Sequence, residues 1–349
     1  MRALTFHGID DVRLTETCDP VLEDPRDALV RPLCAAICGS DLHAVQGREQ
    51  GLDVGTVLGH EIYGEVLEVG ADVQHIRPGD RVVAPFTTSC GVCAPCMAGL
   101  TARCEQGQLF GWRSDGQGLH GTQAELLRVP LAQSTLVGIP KDVPGARALL
   151  SGDVLSTGMF CALQADAAAC KTLAVLGAGP VGLMAALCAL HLGAEQVWVL
   201  DSVPERLALA ARFGATPLSV IDGGAARTIQ EQTAGRGVDA VCECVGSPAA
   251  SRASLDLLRP GGTLAAVGVH TEASFAFSPG EAYDKNLTYR AGRCPARALM
   301  DTTLPLATDG DWPLEELFTH RVPLEAGPEG YRVFGARQDG CIKVLLELA

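Results

Sequence analysis

Over roughly the first 150 positions the apolar residues come in short runs broken by glycine and proline. IYGEVLEVG (62–70) and DRVVAPF (80–86), joined through RPGD (77–80), predict strands around a tight turn. No apolar pattern of helical period and useful length occurs there, so this stretch predicts a mainly β domain. From about Leu173 the texture changes. LAVLG is followed by a helical run from Val181 and VWVLD by another from Pro204, while VDAVCECVG and GTLAAVGV lead into turns. Strands alternating with helices predict a parallel sheet covered by helices. The tail from Arg293, with WPLEELFTH and GCIKVLLELA, is short and mixed, and is expected to pack back on another domain. The expected division is therefore residues 1–154 with 293–349 in one domain and residues 155–292 in the other. No internal repeat or low-complexity segment interrupts this pattern.

Composition narrows the picture. The 349 residues include 27 basic and 41 acidic side chains, a formal charge of −14. The length suits two domains, and 47% hydrophobic with 19% charged residues describes a globular chain. The acid excess argues against nucleic acid or an anionic membrane as the main partner, while leaving room for a small anionic ligand. Only four of the basic residues are lysine, a bias with no evident mechanism. Residues 172–194 carry no Asp, Glu, Lys or Arg and resemble a membrane span, but GAGPVG interrupts them early. That interruption predicts a buried strand, a turn and a buried helix. The opening MRALTFHGIDDVRL has no apolar run of signal-peptide length, so a cytoplasmic protein is expected. In a reducing compartment the 14 cysteines are thiols or metal ligands.

Four of them, Cys90, Cys93, Cys96 and Cys104, follow C-x2-C-x2-C-x7-C. Four thiolates so close in sequence can surround one tetrahedral Zn²⁺ and leave no open position, which makes a structural site. Iron–sulfur clusters use similar runs, and zinc ribbons for nucleic acid do too, although the charge argues against the latter. Elsewhere, CGSDLH (38–43) and GHE (59–61) place a thiol, an imidazole and a carboxylate on neighbouring turns, and SGDVLSTG adds Asp153. Three protein ligands with one open position are the arrangement of a catalytic zinc.

Gly177-Ala-Gly179-Pro180-Val181-Gly182 follows a predicted strand and opens a predicted helix. Such glycines allow a tight turn and close approach of backbone to a pyrophosphate at a helix N-terminus. Asp201 ends the next predicted strand, roughly twenty residues on, where an acid meets the adenosine ribose hydroxyls and repels a 2′-phosphate. NAD is therefore expected over NADP, with Arg206 nearby as a residue that could meet a phosphate.

Taken together, these motifs resemble the zinc-containing medium-chain dehydrogenases of the alcohol dehydrogenase superfamily. The likeness covers essentially the whole chain, because GHE, the cysteine quartet, D-x-x-x-T-G and the glycine-rich turn stand in that family's order. It implies an α/β protein with a GroES-like, mainly β catalytic domain and a Rossmann domain with a doubly wound parallel sheet. It also implies one catalytic and one structural zinc per chain. Cys38, His60 and Asp153 would bind the catalytic ion, with Glu61 as an exchangeable ligand and Asp41 orienting His60. Many relatives have cysteine where this chain has Asp153; the carboxylate form is similar to that of bacterial secondary-alcohol and formaldehyde dehydrogenases. One thiolate, one carboxylate and a neutral imidazole sum with Zn²⁺ to zero. Ligation by Glu61 would make −1 and weaken the Lewis acid, so Glu61 should leave when substrate binds.

The resemblance further implies that Thr157 lines the nicotinamide, that the VGVH strand end (267–270), through Val267 and Val269, holds its carboxamide, and that Lys343 stands near the pyrophosphate. Ser40 and His43 would carry the substrate's proton by way of the nicotinamide ribose, and Phe86 and Trp112 would wall the pocket. The expected activity is hydride transfer between an alcohol, secondary in the leading reading, and NAD. Partners would be small alcohols or carbonyl compounds, with no nucleic acid or membrane, in a homodimer or homotetramer. Rival readings are aldehyde oxidation of the formaldehyde-dehydrogenase type and a non-enzymatic zinc- and nucleotide-binding protein. A zinc-free enone or quinone reductase is disfavoured by the metal ligands.

Overall fold

In the computed structural model, which describes residues 1–348, the chain forms two compact units. One comprises Met1–Ser156 with the chain from Pro295 on, and the other is Thr157–Cys294. The first boundary falls inside the helix Val154–Gln164, so no change of composition marks it, and the sequence places it slightly early.

The first unit is built on a seven-stranded sheet. Its central strand, Ala28–Ile37, alternates buried with half-buried or exposed residues as far as Leu33 and is buried on both faces from Cys34 to Ile37. Ile62–Val69 pairs with it antiparallel, and Arg81–Ala84 pairs antiparallel with Ile62–Val69. The predicted turn at 77–80 is present, closed by the Asp80 N–H donating to the Arg77 carbonyl at 3.1 Å. It ends a longer connection rather than joining the two strands directly. The tail strand Lys343–Glu347 pairs antiparallel with Ala28–Ile37, with Val344 opposite Ile37. Its other neighbour, Phe318–Pro323, runs parallel to it. The helix Gly327–Ala336 buries Gly327, Gly330, Tyr331 and Phe334, the spacing of one helical face, in a core shared with Ile37, Leu42 and Val344. The mixed tail thus completes this unit by supplying two strands and a covering helix.

The second unit has a six-stranded sheet, parallel throughout, in the order Thr216–Ser219, Gln196–Asp201, Thr172–Leu176, Val238–Glu243, Leu258–Ala266, Thr288–Ala291. Numbered within the sheet this is 3-2-1-4-5-6, the doubly wound order with its switch point beside the first strand. Leu173 to Leu176 are all buried, as expected where helices cover both faces. The uncharged run 172–194 resolves into the strand Thr172–Leu176 and the helix Pro180–Leu192, whose residues from Gly182 to Ala189 are buried. Among the described residues no helix is long and apolar enough to cross a membrane.

Candidate metal centre and nucleotide site

Sheet register assembles the open cluster. Ala35 lies opposite Ile62, so the chain just beyond Ile37 runs beside the segment before Ile62 and sets Cys38 near His60 and Glu61. Asp153 arrives through a close approach: a Cβ on Gly152 would lie 2.2 Å from the Ala84 carbonyl, and the Phe86 N–H donates to the Gly152 carbonyl at 3.2 Å. One ligand atom from each of Cys38, His60, Glu61 and Asp153 lies within 4.8 Å of the others, and all four residues are buried. Cys38 Sγ is 3.2 Å from Asp153 Oδ2, and His60 Nε2 is 3.4 Å from the same oxygen. On its other side His60 Nδ1 meets Asp41 Oδ1 at 3.1 Å, which directs Nε2 into the cluster. Ser40 occupies the N-cap of the short helix Asp41–Val45 but makes no side-chain cap; its hydroxyl lies 3.3 Å from His60 Nε2. The Phe86 ring stands edge-on to the His60 imidazole, with centroids 6.3 Å apart.

The electrostatics ask for a cation. Asp41, Glu61 and Asp153 are three buried carboxylates with one buried ammonium, Lys343, among them. Burial alone would lower His60, yet Asp41, Cys38 and Asp153 outweigh it and hold the imidazole well above its ordinary value. Burial and Asp153 push the Cys38 thiol up. Glu61 Oε2 is buried without a hydrogen-bond partner. A divalent ion would supply the missing charge and engage that orphan oxygen, and a sulfur, nitrogen and oxygen donor set suits zinc. The residues fit the group.

Lys343 corrects an expectation. Expected near the pyrophosphate, it is instead enclosed beside the ligand cluster, its side chain 0% exposed. Its ammonium donates to Glu61 Oε1 at 2.5 Å and to the Ile37 carbonyl at 3.4 Å. The pairing of the tail strand beside Ile37 carries it there. Burial acts downward on this ammonium, but Glu61, Cys38 and Asp153 together raise it above its usual value.

The cysteine quartet also comes together, with one sulfur from each of Cys90, Cys93, Cys96 and Cys104 inside the same 4.8 Å limit. Backbone N–H groups point at the sulfurs: Cys90 N–H donates to Cys104 Sγ at 3.2 Å and Cys93 N–H to Cys90 Sγ at 3.4 Å. Burial acts upward on Cys90, but N–H bonds from Val92 and Cys93 outweigh it and bring the thiol to about 7. Cys96 is instead pushed up to about 12, mainly by burial. Four sulfur donors, one from each cysteine, are the donor set of a closed tetrahedral site.

In the second unit the glycine-rich turn has the geometry its sequence demands. Gly177 has φ +91°, and a Cβ on Gly182 would lie 1.8 Å from the Gly177 carbonyl oxygen. Gly179 caps the helix that begins at Pro180 and continues through Val181. Asp201 braces this turn: Oδ2 accepts from Ala178 N–H at 2.6 Å, and Oδ1 from Ser202 and Val203 N–H at 2.7 and 2.9 Å. Arg206 is buried on the helix Pro204–Arg212. Thr157 is half-buried. Val267 and Val269 follow the strand Leu258–Ala266, with Val267 N–H donating to the Glu243 carbonyl at 3.0 Å. Trp112 stands half-buried on a separate two-stranded ribbon with Gln117–Leu119.

Sequence reasoning passes over Glu243. It is fully buried, its Oε1 accepts from Val245 and Gly246 N–H, and its Oε2 meets His270 Nε2 at 2.9 Å. It ties together the loops that follow two adjacent strands. The signal was present, an acid inside the apolar run VDAVCECVG.

A β-rich unit carrying one closed and one open metal-ligand cluster, with a doubly wound parallel-sheet unit bearing a glycine-rich turn, defines a metal-dependent oxidoreductase. The family described as "Alcohol dehydrogenase GroES-like domain" matches residues 24–141, and that described as "Zinc-binding dehydrogenase" matches residues 180–308. Zinc-type alcohol dehydrogenase B of Aspergillus flavus is 39% identical over 344 residues, covering 96% of this chain and 79% of that protein. The NADP-dependent isopropanol dehydrogenase of Thermoanaerobacter brockii is 35% identical over 279 residues, 79% of each chain. Among solved structures, alcohol dehydrogenase TADH from Thermus sp. ATN1 superposes with a TM-score of 0.93 at 39% identity, covering 100% of both chains. The chain belongs to the zinc-containing medium-chain dehydrogenases, the alcohol dehydrogenase family.

Proposed function

We propose that the protein interconverts an alcohol, preferentially a secondary one, and its carbonyl compound with NAD. The observation that carries this reading is the buried cluster Cys38–His60–Glu61–Asp153, short of positive charge and holding an orphan carboxylate oxygen. Cys38, His60 and Asp153 would hold the catalytic zinc, Glu61 would exchange on and off it, and the quartet would hold a structural zinc. Bound zinc supplies Lewis-acid polarisation of the substrate oxygen, and NAD supplies the hydride acceptor. The alcohol dehydrogenases among its relatives favour this activity over aldehyde oxidation. The test is a panel of secondary alcohols, polyols and amino alcohols with NAD⁺, following reduced-cofactor absorbance. No turnover with any of them, by protein carrying two zinc ions, would leave only a binding function.

The chain's own residues have separate tasks in this reading. Asp41 holds the His60 tautomer, and Phe86 shields that imidazole. Ser40, whose hydroxyl can both accept and donate, takes the substrate's proton, and His43 passes it outward. Burial and Arg48 hold His43 below its ordinary value of 6.5, against the opposing pull of Asp41. A lowered imidazole stays neutral, and so able to accept a proton, to lower pH. The acid limb of the rate profile that reports His43 should therefore lie below 6.5. His43→Gln should slow alcohol oxidation about 10–100-fold near neutral pH, at or below the usual reach of general-base catalysis. Added small bases should recover part of the rate, with zinc content unchanged. A variant with an unaltered pH profile and no response to added base would make His43 a spectator.

Cofactor choice rests on Asp201. One of the relatives is NADP-dependent, so this residue decides between two outcomes the family allows. Its carboxylate would accept ribose hydroxyls and repel a phosphate. Asp201→Gly should lower the preference for NAD⁺ over NADP⁺ about 100-fold, the equivalent of one or two lost charge-assisted hydrogen bonds. Because Asp201 also braces the glycine turn, KM should rise for both cofactors. Faster reaction of the unmodified protein with NADP⁺ at equal concentration would refute this assignment.

A further inference from the structure

Behind Asp41 lies a fully buried amide whose orientation its partners dictate. Gln123 is 0% exposed. Its Nε2 donates to the Ala36 carbonyl at 3.1 Å and lies 3.5 Å from Asp41 Oδ2. Both of those atoms only accept, so the NH₂ must face them and Oε1 must face away. There it accepts from the Tyr331 hydroxyl at 2.8 Å. Burial, reinforced by the Asp41 charge and by a direct hydrogen-bond approach of the phenol to Asp41, keeps Tyr331 well above its ordinary value, so it stays a proton donor. The other donor to Asp41 Oδ2 is the Cys38 backbone N–H at 2.9 Å.

The backbone around Gln123 is committed to the same place. Gln123 N–H donates to the Leu58 carbonyl at 3.0 Å, Thr122 N–H to that of Gly59 at 3.0 Å, and Thr122 Oγ1 to that of Glu61 at 2.9 Å. Gly59, which precedes His60, has φ +88°, and a Cβ there would lie 2.4 Å from Gln123 Cγ. The Gln123 side chain therefore packs directly on the turn that delivers His60, while its amide reaches the carboxylate that orients His60.

From this we infer that Gln123 and Tyr331 are positioning residues for the metal-binding imidazole, both acting through Asp41. Tyr331 fixes the amide of Gln123, Gln123 holds one oxygen of Asp41, and the other oxygen holds His60 Nδ1 so that Nε2 faces Cys38 and Asp153. The inference rests on the metal-site reading above and extends it two residues outward, to a helix near the chain's end. Partners that orient metal-binding histidines are worth about 10–100-fold in metal affinity, and Gln123 stands one step further back.

The experiment measures zinc retention in the full-length, zinc-loaded protein against a chromophoric chelator, with the quartet's zinc as internal reference. Gln123→Leu should weaken the open-site ion about 10-fold and leave the quartet ion unchanged. Tyr331→Phe, which keeps the ring and removes only the donor, should weaken it several-fold in the same direction. Tyr331→Phe made in the Gln123→Leu background should add less than it does alone, because its link through Gln123 is already broken and only its direct approach to Asp41 remains. Cobalt in place of zinc should show a shifted ligand-field spectrum in both single variants, which a change in packing alone would not produce. If Gln123→Leu fails to fold, Tyr331→Phe decides the matter by itself. Wild-type affinity and an unshifted spectrum in Tyr331→Phe, or independent additive effects of the two substitutions, would overturn the inference. A wild-type chain that takes up only the quartet's zinc would overturn the metal-site reading and this inference with it.

Discussion

Cys38→Ala is expected to give a folded chain with one zinc ion in place of two and alcohol oxidation reduced at least about 1,000-fold. The size follows from the several kcal/mol that a polarising metal contributes to a charge-developing transition state, at about 1.4 kcal/mol per factor of ten. The fold should survive because Cys38 lies just beyond the strand Ala28–Ile37, whose partners on both sides do not depend on the thiol. Elemental analysis of protein purified without chelators should find about two zinc ions in the parent, one for each ligand cluster, and about one in the variant. Cys90→Ala should behave differently, losing the quartet's ion and the order of the loop around it while the open cluster keeps its donors. Wild-type turnover by Cys38→Ala would remove the basis for placing catalysis at this cluster.

Lys343→Met is expected to produce the largest loss of stability. Glu61 and Lys343 are both 0% exposed, and deleting one partner leaves the other charge buried without compensation. Such deletions cost about 3–5 kcal/mol, against a typical total of about 5–15. Metal-free protein should therefore melt about 6–20 °C lower, at about 2–4 °C per kcal/mol for a unit of this size. Zinc-loaded protein should lose less, because the metal offers Glu61 another positive partner. Combining Lys343→Met with Glu61→Met should recover most of the loss, since two apolar side chains leave no stranded charge. Thermal melts of the single and double variants, each with and without zinc, measure this directly. Equal melting temperatures for Lys343→Met and the parent without metal would show that the pair carries no net stabilisation.

Much of the architecture was readable from local pattern. The strand–turn–helix from Thr172 to Leu192 follows from apolar run, glycines and apolar run, and Gly177 and Gly182 are required by a positive φ and a 1.8 Å approach. The quartet lies within one loop, where spacing alone brings sulfurs together. The missed helices are those whose apolar stripe is short, such as Pro248–Leu257, where Ser247 caps the first turn. The assignments that changed all depend on what lies across the fold. Lys343 is expected near the pyrophosphate because nothing in GCIKVLL reveals that its strand pairs beside Ile37 and carries it onto Glu61. The burial of Arg206 is likewise set by the packing of its helix and not by its own segment.

The sequence by itself determined what is encoded over a few residues: the first strand, turn and helix of the second unit, the closed cysteine loop, and the glycine turn with its acid at the next strand end. Short-range spacing and backbone conformation suffice for these, because the groups involved cannot drift far apart. The tertiary structure decided everything that depends on sheet register. It set Cys38 beside His60, brought Asp153 in over Ala84, placed Lys343 on Glu61 across 282 positions, and placed Tyr331 on Gln123 across 208. The physical reason is that pairing one strand against another fixes the level of every side chain along it, and that choice is made by the whole core and not by the segment itself.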